Sequence, residues 1–233
     1  MARVGSEGLR GKVGGVVYSE SRNGVTVRAL KKPRNPRTSA QQAIRQRTAS
    51  ISSQWRALTD EQREAWNRFG AAMGNVNGAG KSGGWSGQNA FVSMNQNLAC
   101  VGAPIVLTPP PSGARVSRLS GGSGKLTVAG RDITGFTLDF RLAGGKTLKA
   151  NEKIFVRATF PRSAGQGNAK LFTRQAAINR GRGYDSLTAD ASADYAARFG
   201  KRMDKMQVIG INAKIINTAT GAASEYLQFR VAP

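Results

Sequence analysis

Residues 74–84, GNVNGAGKSGG, hold the residue types of a phosphate-binding loop: glycines, then Gly80-Lys81-Ser82. That chemistry needs a glycine five residues before the Gly-Lys-Ser element, with a strand entering and a helix leaving. Asn75 stands at that position, Gly74 is one step too early, and Gly83-Gly84 follow. The stretch reads as a connector. Other catalytic sets fail on inventory. The chain has no histidine, so the commonest general base and the commonest metal ligand are both missing. Cys100 is alone, which excludes an intrachain disulfide and a cysteine-based metal site. Asp185, Asp190, Asp194 and Asp204 match no metal-loop spacing and read as loop carboxylates. No enzyme, cofactor or metal is expected. A lysine- or serine-dependent hydrolase is the alternative from the enzyme class, and activity abolished by one Lys or Ser substitution would revive it.

Charge is the strongest positive signal. The 233 residues carry 35 Lys and Arg against 13 Asp and Glu, a formal net charge of +22. Such an excess repels itself and favours a polyanionic partner. It is concentrated early, in Arg10, Lys12, Arg22, Arg28, Lys31, Lys32, Arg34 and Arg37, followed by Arg45 and Arg47. A solvated surface kept for solubility is the plain reading of this strip. Contact with a nucleic-acid backbone or an acidic protein fits the size of the excess better, because Arg and Lys neutralise phosphates without reading sequence.

The elements that position these cations follow from local signals. GSEGLRGKVGG spaces glycines three apart and reads as a flexible arm, or a strand packed closely on another backbone. In VVYSESRNGVTVRAL, Asn23-Gly24 lies between runs rich in Val and Thr, a hairpin signal. A turn there pairs Arg22 with Val25, Glu20 with Val27 and Tyr18 with Ala29. Pro33 and Pro36 end the strand. Thr38 with Gln41, and Thr59 with Gln62, then fit two capping boxes. The spacing predicts a helical hairpin over 39–57 and 60–73. Its apolar faces are Ile44, Ile51, Trp55 and Leu58, with Thr48 filling the gap, and Trp66, Phe69 and Met73. Trp55, Leu58, Trp66 and Phe69 are assigned to packing or assembly, and stacking on bases is the lesser reading for the two tryptophans. The acids that open the second helix, Asp60, Glu61 and Glu64, argue against its entering a DNA groove. Trp85 reads as an exposed contact residue, or else as folded back onto the helical hairpin. Ser86 caps a short third helix carrying Phe91, Met94 and Leu98.

LTPPPSG, residues 107–113, is the proposed domain boundary. Beyond it KLTVAG, TGFTLDFRL, EKIFVRATF, MQVIGINAKII and SEYLQFRVA read as strands, with a helical turn or loop over 188–203. The expected fold is α+β. An arm and β-hairpin (1–37) and a helical region (38–106) precede an antiparallel β-sandwich (114–233) of the immunoglobulin or fibronectin sort. No apolar run is long enough for a membrane span, and MARVGSEGLRGK lacks the core of a signal peptide, so neither membrane insertion nor general export is expected.

The segment 11–69, with GKVGGVVY, KKPRNPRT, QQAIRQR and the pattern W-x-x-L-T-x-x-Q-R-x-A-W, resembles an uncharacterised family of phage- and prophage-associated bacterial proteins; the later GQNAFVSMNQNL fits as well. The resemblance implies a β-sandwich after the helices and a structural role in a virion, reached from the host cytoplasm during assembly, and brings no catalytic residue. The expected function is therefore a non-enzymatic structural component that self-associates through its arm and helices or meets other virion proteins. Its basic surfaces would face DNA, RNA or an acidic neighbour, with no small-molecule substrate. A freely acting, sequence-nonspecific nucleic-acid-binding protein is the alternative.

Overall fold

Two backbone periodicities organise the chain, period two up to residue 29 and again beyond 118, and helical period in between. The computed structural model describes residues 3–5, 8–21, 24–31, 35–73, 75–76, 82–111, 116–166, 172, 175–179 and 181–233. At 3–5, 8–10, 20–21, 24, 75–76 and 82–83 it describes the backbone alone. Residues 1–43 and 44–233 form two compact units.

The first unit holds an antiparallel meander in sequential order: β1 (Arg3–Gly5), β2 (Gly8–Val13), β3 (Val16–Ser21) and β4 (Gly24–Ala29). The glycine-rich start is therefore two paired strands, and the expected hairpin is half of a larger sheet. Its register is shifted by two residues from expectation: Tyr18 pairs with Val27, Glu20 with Val25 and Val16 with Ala29. This places Ser19 opposite Thr26, with their hydroxyls 2.8 Å apart. The expected register would have set Ser19 against Arg28 and lost that cross-strand bond. Arg22 and Asn23, between the paired Ser21 and Gly24, lie outside the described residues.

Helix α1 (Ser39–Ala57) starts in the first unit, where Thr38 Oγ1 accepts from Gln41 N at 3.3 Å. The return contact comes from Gln42, whose Nε2 donates to Arg37 O at 2.9 Å. Helix α2 (Asp60–Ala72) has the complete capping box: Gln62 N donates to Thr59 Oγ1 at 3.2 Å, and Thr59 N donates to Gln62 Oε1 at 3.0 Å. A short ladder of β5 (Asn75–Val76) and β6 (Ser82–Gly83) leads to α3 (Gly87–Cys100), capped by Ser86 Oγ, which accepts from Asn89 N at 3.2 Å. The segment entering α3 passes so close to α2 that a Cβ on Gly70 would lie 2.6 Å from Trp85 O. Ile51, Leu58, Trp66, Ala90, Phe91 and Met94 form the buried helical core. Ile44 is 60% exposed and does not join the apolar face assigned to it, since burial on α1 begins further along, at Ile51. Trp85 is half-buried against the same core, so it folds back onto the helices and is not the exposed contact residue of the first reading.

The β region comprises β7 (Leu119–Ala129), β8 (Asp132–Leu142), β9 (Glu152–Ala158), β10 (Arg162–Ser163), β11 (Ala176–Ala177), β12 (Thr188–Asp190), β13 (Gln207–Asn217) and β14 (Leu227–Val231), with α4 (Ser192–Phe199) between β12 and β13. One antiparallel sheet runs β10-β13-β9-β11 with β14 on β13, and the other runs β12-β8-β7. Burial alternates along β8, placing Ile133, Phe136, Leu138, Phe140 and Leu142 inside. β13 is buried almost continuously, because both its faces are covered. Ile209, Ile211, Ala213 and Ile215 enter the core between the sheets, while Ile216 packs with Phe155 and Val101, just past α3. Helices, sheet and second sheet thus form three layers, and the fold is α+β. The proline-rich stretch is tied into this unit. Trp66 Nε1 donates to Leu107 O at 2.8 Å, and Val106 N donates to Asn95 Oδ1 at 2.8 Å.

A polar seam joins the layers. Lys214 Nζ donates to Asn97 Oδ1 at 2.7 Å, and Asn97 Nδ2 donates to Gly221 O at 2.9 Å. Burial holds the Lys214 pKa below the ordinary lysine value; the nearby Cys100 opposes this, and the weaker influence of the Arg157 charge acts in the same direction as burial. The folded state therefore binds this proton less well than the unfolded chain, so this group's contribution to stability rises with pH up to the ordinary lysine range. Urea unfolding between about pH 8 and about pH 10 should show a smaller rise in Lys214→Met than in the parent; equal slopes would mean the ammonium is effectively solvated. Trp66→Ala should cost roughly 3–5 kcal/mol, because the ring is wholly buried and its loss strands the Leu107 carbonyl. Trp55→Ala should cost less, since Trp55 is half-buried. A loss below about 1 kcal/mol at Trp66 would show that the helical core is not what holds the unit together.

Candidate polyanion interface

Gly14 and Gly15 link the paired residues Val13 and Val16, and Gly14 has φ +55°. A two-residue hairpin turn of the primed type needs positive φ at its first central position, which glycine adopts without strain. Leu30 N then donates to Gly15 O at 2.7 Å, closing the chain after β4 onto this turn.

Cross-strand partners share a face, so the register sorts the side chains. Lys12, Val17 and Arg28 form one row across β2, β3 and β4, with Ser19 and Thr26 beside it. Lys12 and Arg28 are both exposed. Two strand spacings separate them, about 10 Å. Val13, Val16 and Ala29 form a row on the opposite face, which also holds the pairs Tyr18–Val27 and Glu20–Val25. Among these, Val13 is 55% and Val27 61% exposed. The sheet is therefore two-sided, mainly polar and cationic on the face that also holds Val17, and mainly apolar on the face that also holds the Glu20 position. The alternation in VVYSES and GVTVRA carries this second face.

The other predicted cations fall in several places. Arg10 lies in β2, paired with Arg3. Lys31 and Arg37 are exposed beyond β4, and Arg37 has φ +47°. Arg45 and Arg47 are exposed on α1, and Arg47 Nη1 lies 4.0 Å from Cys100 Sγ. Arg22, Lys32 and Arg34 lie outside the described residues. The structure thus brings Lys12 and Arg28 into one row.

The four residues assigned to packing or assembly are used within the chain. Trp66 and Leu58 are buried, and Trp55 and Phe69 are half-buried around them. Trp66 meets Phe69 and Phe91 edge-on, with ring centroids 5.6 and 5.3 Å apart. α3 of the same chain packs against the helical hairpin through Ala90, Phe91 and Met94. Among the described residues there is no group of three acidic or cysteine side chains able to hold a metal ion, and no helix is long and apolar enough to cross a membrane. No protein-family model matches the chain, and neither a curated protein nor a solved structure does.

The paired cations carry a measurable expectation. In a duplex-DNA titration, Lys12→Ala with Arg28→Ala should lower the slope of log affinity against log salt by roughly two. An unchanged slope would mean that this face of the sheet meets no phosphate.

Proposed function

We propose that the chain is a non-enzymatic structural component of a phage virion or a related assembly, in which copies associate through the N-terminal sheet while the basic surfaces meet nucleic acid or an acidic neighbour. The observation that carries this reading is the exposed apolar face set back to back with a cationic one. Burying a valine is worth about 1.5–3 kcal/mol, so a face holding Val13, Val16, Val25 and Val27 gains substantially from a cover. A second copy suits it, because Lys12 and Arg28 lie on the other side and like charges are kept apart when two such faces meet. The helices contribute as an internally packed platform and not as a second self-association surface. For residues 114–233 the proposal includes an immunoglobulin- or fibronectin-like sandwich, supported by two antiparallel sheets around one core.

A freely acting, sequence-nonspecific nucleic-acid-binding protein is the second reading, favoured by the Lys12–Arg28 row. Salt separates the two. Phosphate binding weakens steeply as salt rises, whereas association through an apolar face persists.

The test is sedimentation velocity on the full chain and on Val13→Thr/Val27→Thr, which keeps strand propensity while removing apolar area. The parent should sediment as an oligomer at both low and high salt, and the variant should shift toward monomer with an unchanged far-ultraviolet spectrum. A parent that is monomeric throughout, or a variant that associates as strongly as the parent, would overturn the assembly reading.

A further inference from the structure

In the larger unit, a line of aromatic rings runs from the core of the β region to its surface. Phe136 of β8 meets Tyr195 of α4 edge-on, with centroids 5.3 Å apart. Tyr195 meets Phe199 at 4.9 Å, and Phe199 meets Phe160 edge-on at 4.7 Å. The first two rings are buried, Phe199 is half-buried, and Phe160 is 51% exposed. The backbone on both sides of Phe160 is fixed. Thr159 N donates to Gly210 O at 3.0 Å, Gly210 N donates to Thr159 Oγ1 at 2.9 Å, and the Tyr195 hydroxyl donates to Thr159 O at 2.9 Å. Pro161 follows and holds Phe160 to extended backbone. A scattered exposed side chain needs no explanation. A ring backed by a second ring, on a backbone that cannot yield, is a preorganised platform.

Beside this ring opens a cleft of about 390 Å³ whose lining includes Phe160, Pro161, Phe199, Arg131, Arg202 and Asp204. Backbone pairing brings its two basic segments together. Ile133 N donates to Lys201 O and Met203 N to Arg131 O, both at 2.8 Å, with Asp132 opposite Arg202. Arg131 Nε lies 3.1 Å from Asp204 Oδ1, so the charge of that carboxylate is already matched. Lys201, Arg202 and Lys205 are exposed, and none of them forms an ion pair among the described residues. With Arg131 they make four cations against the acids Asp132 and Asp204. Beyond residue 43, the residues outside the described ones contain no acid, so the positive sign stands whatever their placement.

We infer that this cleft is a contact site for single-stranded nucleic acid, with one base lying on the exposed Phe160 ring and the flanking phosphates meeting Arg202, Lys201 and Lys205. The pairing of an open ring with unmatched cations decides the class. Every nucleotide carries a flat π face and a phosphate in fixed succession, and stacking on an aromatic side chain tolerates any base. A duplex keeps its bases inside and would leave the ring unused. An acidic peptide would meet the cations without a flat face for the ring, and a mononucleotide brings one phosphate to three free cations. The inference rests on the nucleic-acid part of the proposed function and is independent of self-association; it adds the strand form and the place.

The test is fluorescence anisotropy of the full chain with a labelled oligothymidylate of about twelve nucleotides and an abasic strand of equal length. The oligothymidylate should bind the more tightly. Phe160→Ala should weaken it by about fivefold or more and leave the abasic strand unchanged, while Phe160→Trp, which keeps a ring, should retain binding. Lys201→Gln with Lys205→Gln should weaken both strands and lower the slope of log affinity against log salt by roughly 1.4. Equal affinity for the two strands, or an unaltered affinity in Phe160→Ala, would overturn the inference by leaving phosphate contact alone. Displacement of the labelled strand by dTMP or by poly-L-glutamate, as effective per charge as by unlabelled oligothymidylate, would overturn it as well, assigning the cleft to a mononucleotide or to an acidic protein. Duplex binding through Lys12 and Arg28 should be the same in Phe160→Ala as in the parent, so either contact can fail visibly without the other.

Discussion

Side chains on a strand alternate between two faces, and in the N-terminal sheet that alternation separates two kinds of chemistry. Lys12 and Arg28 stand on one side of the β2–β3–β4 ladder, and Val13, Val16, Tyr18 and Val27 stand on the other. Neither face suits water and nothing else. A chain at +22 gains from placing its cations against negative charge, and exposed valines gain from being covered. The assembly reading depends on this division, because Val13, Val25 and Val27 stand on the face opposite Lys12 and Arg28, although Val17 lies between the two cations.

The larger unit shows the opposite condition, with demands met internally. The α2 indole at Trp66 is enclosed by Phe69 and Phe91, and its one polar atom is satisfied by Leu107 O. That bond fastens the proline-rich stretch to the helices. Lys214 and Asn97 link the helical layer to β13, which accordingly is buried on both faces. In the core between the sheets, Tyr195 of α4 donates to Thr159 O at 2.9 Å and meets Phe136 edge-on, 5.3 Å between centroids.

What could be read from the residues beforehand was what is decided locally. The Thr59–Gln62 box, the Ser86 cap and the alternation in TGFTLDFRL each act within a few residues, so their elements fall where the pattern places them. Ile44 and Trp85 were misassigned because helical spacing says which residues share a face but not where a neighbour begins to cover it. The hairpin register was missed because the Asn-Gly signal was given more weight than the Ser19–Thr26 pairing, which requires knowing which residues come opposite.

The two-residue difference in register has a consequence for how this arm can vary in length. Because the pleat repeats every second residue, sliding β3 past β4 by two leaves each side chain on the face it already had. Gaining or losing residues in pairs at a turn therefore keeps the oily and charged sides apart. A single insertion within a strand would exchange them beyond that point, turning arginine toward the greasy side and valine toward the salt. Odd-numbered changes are the ones this design cannot absorb.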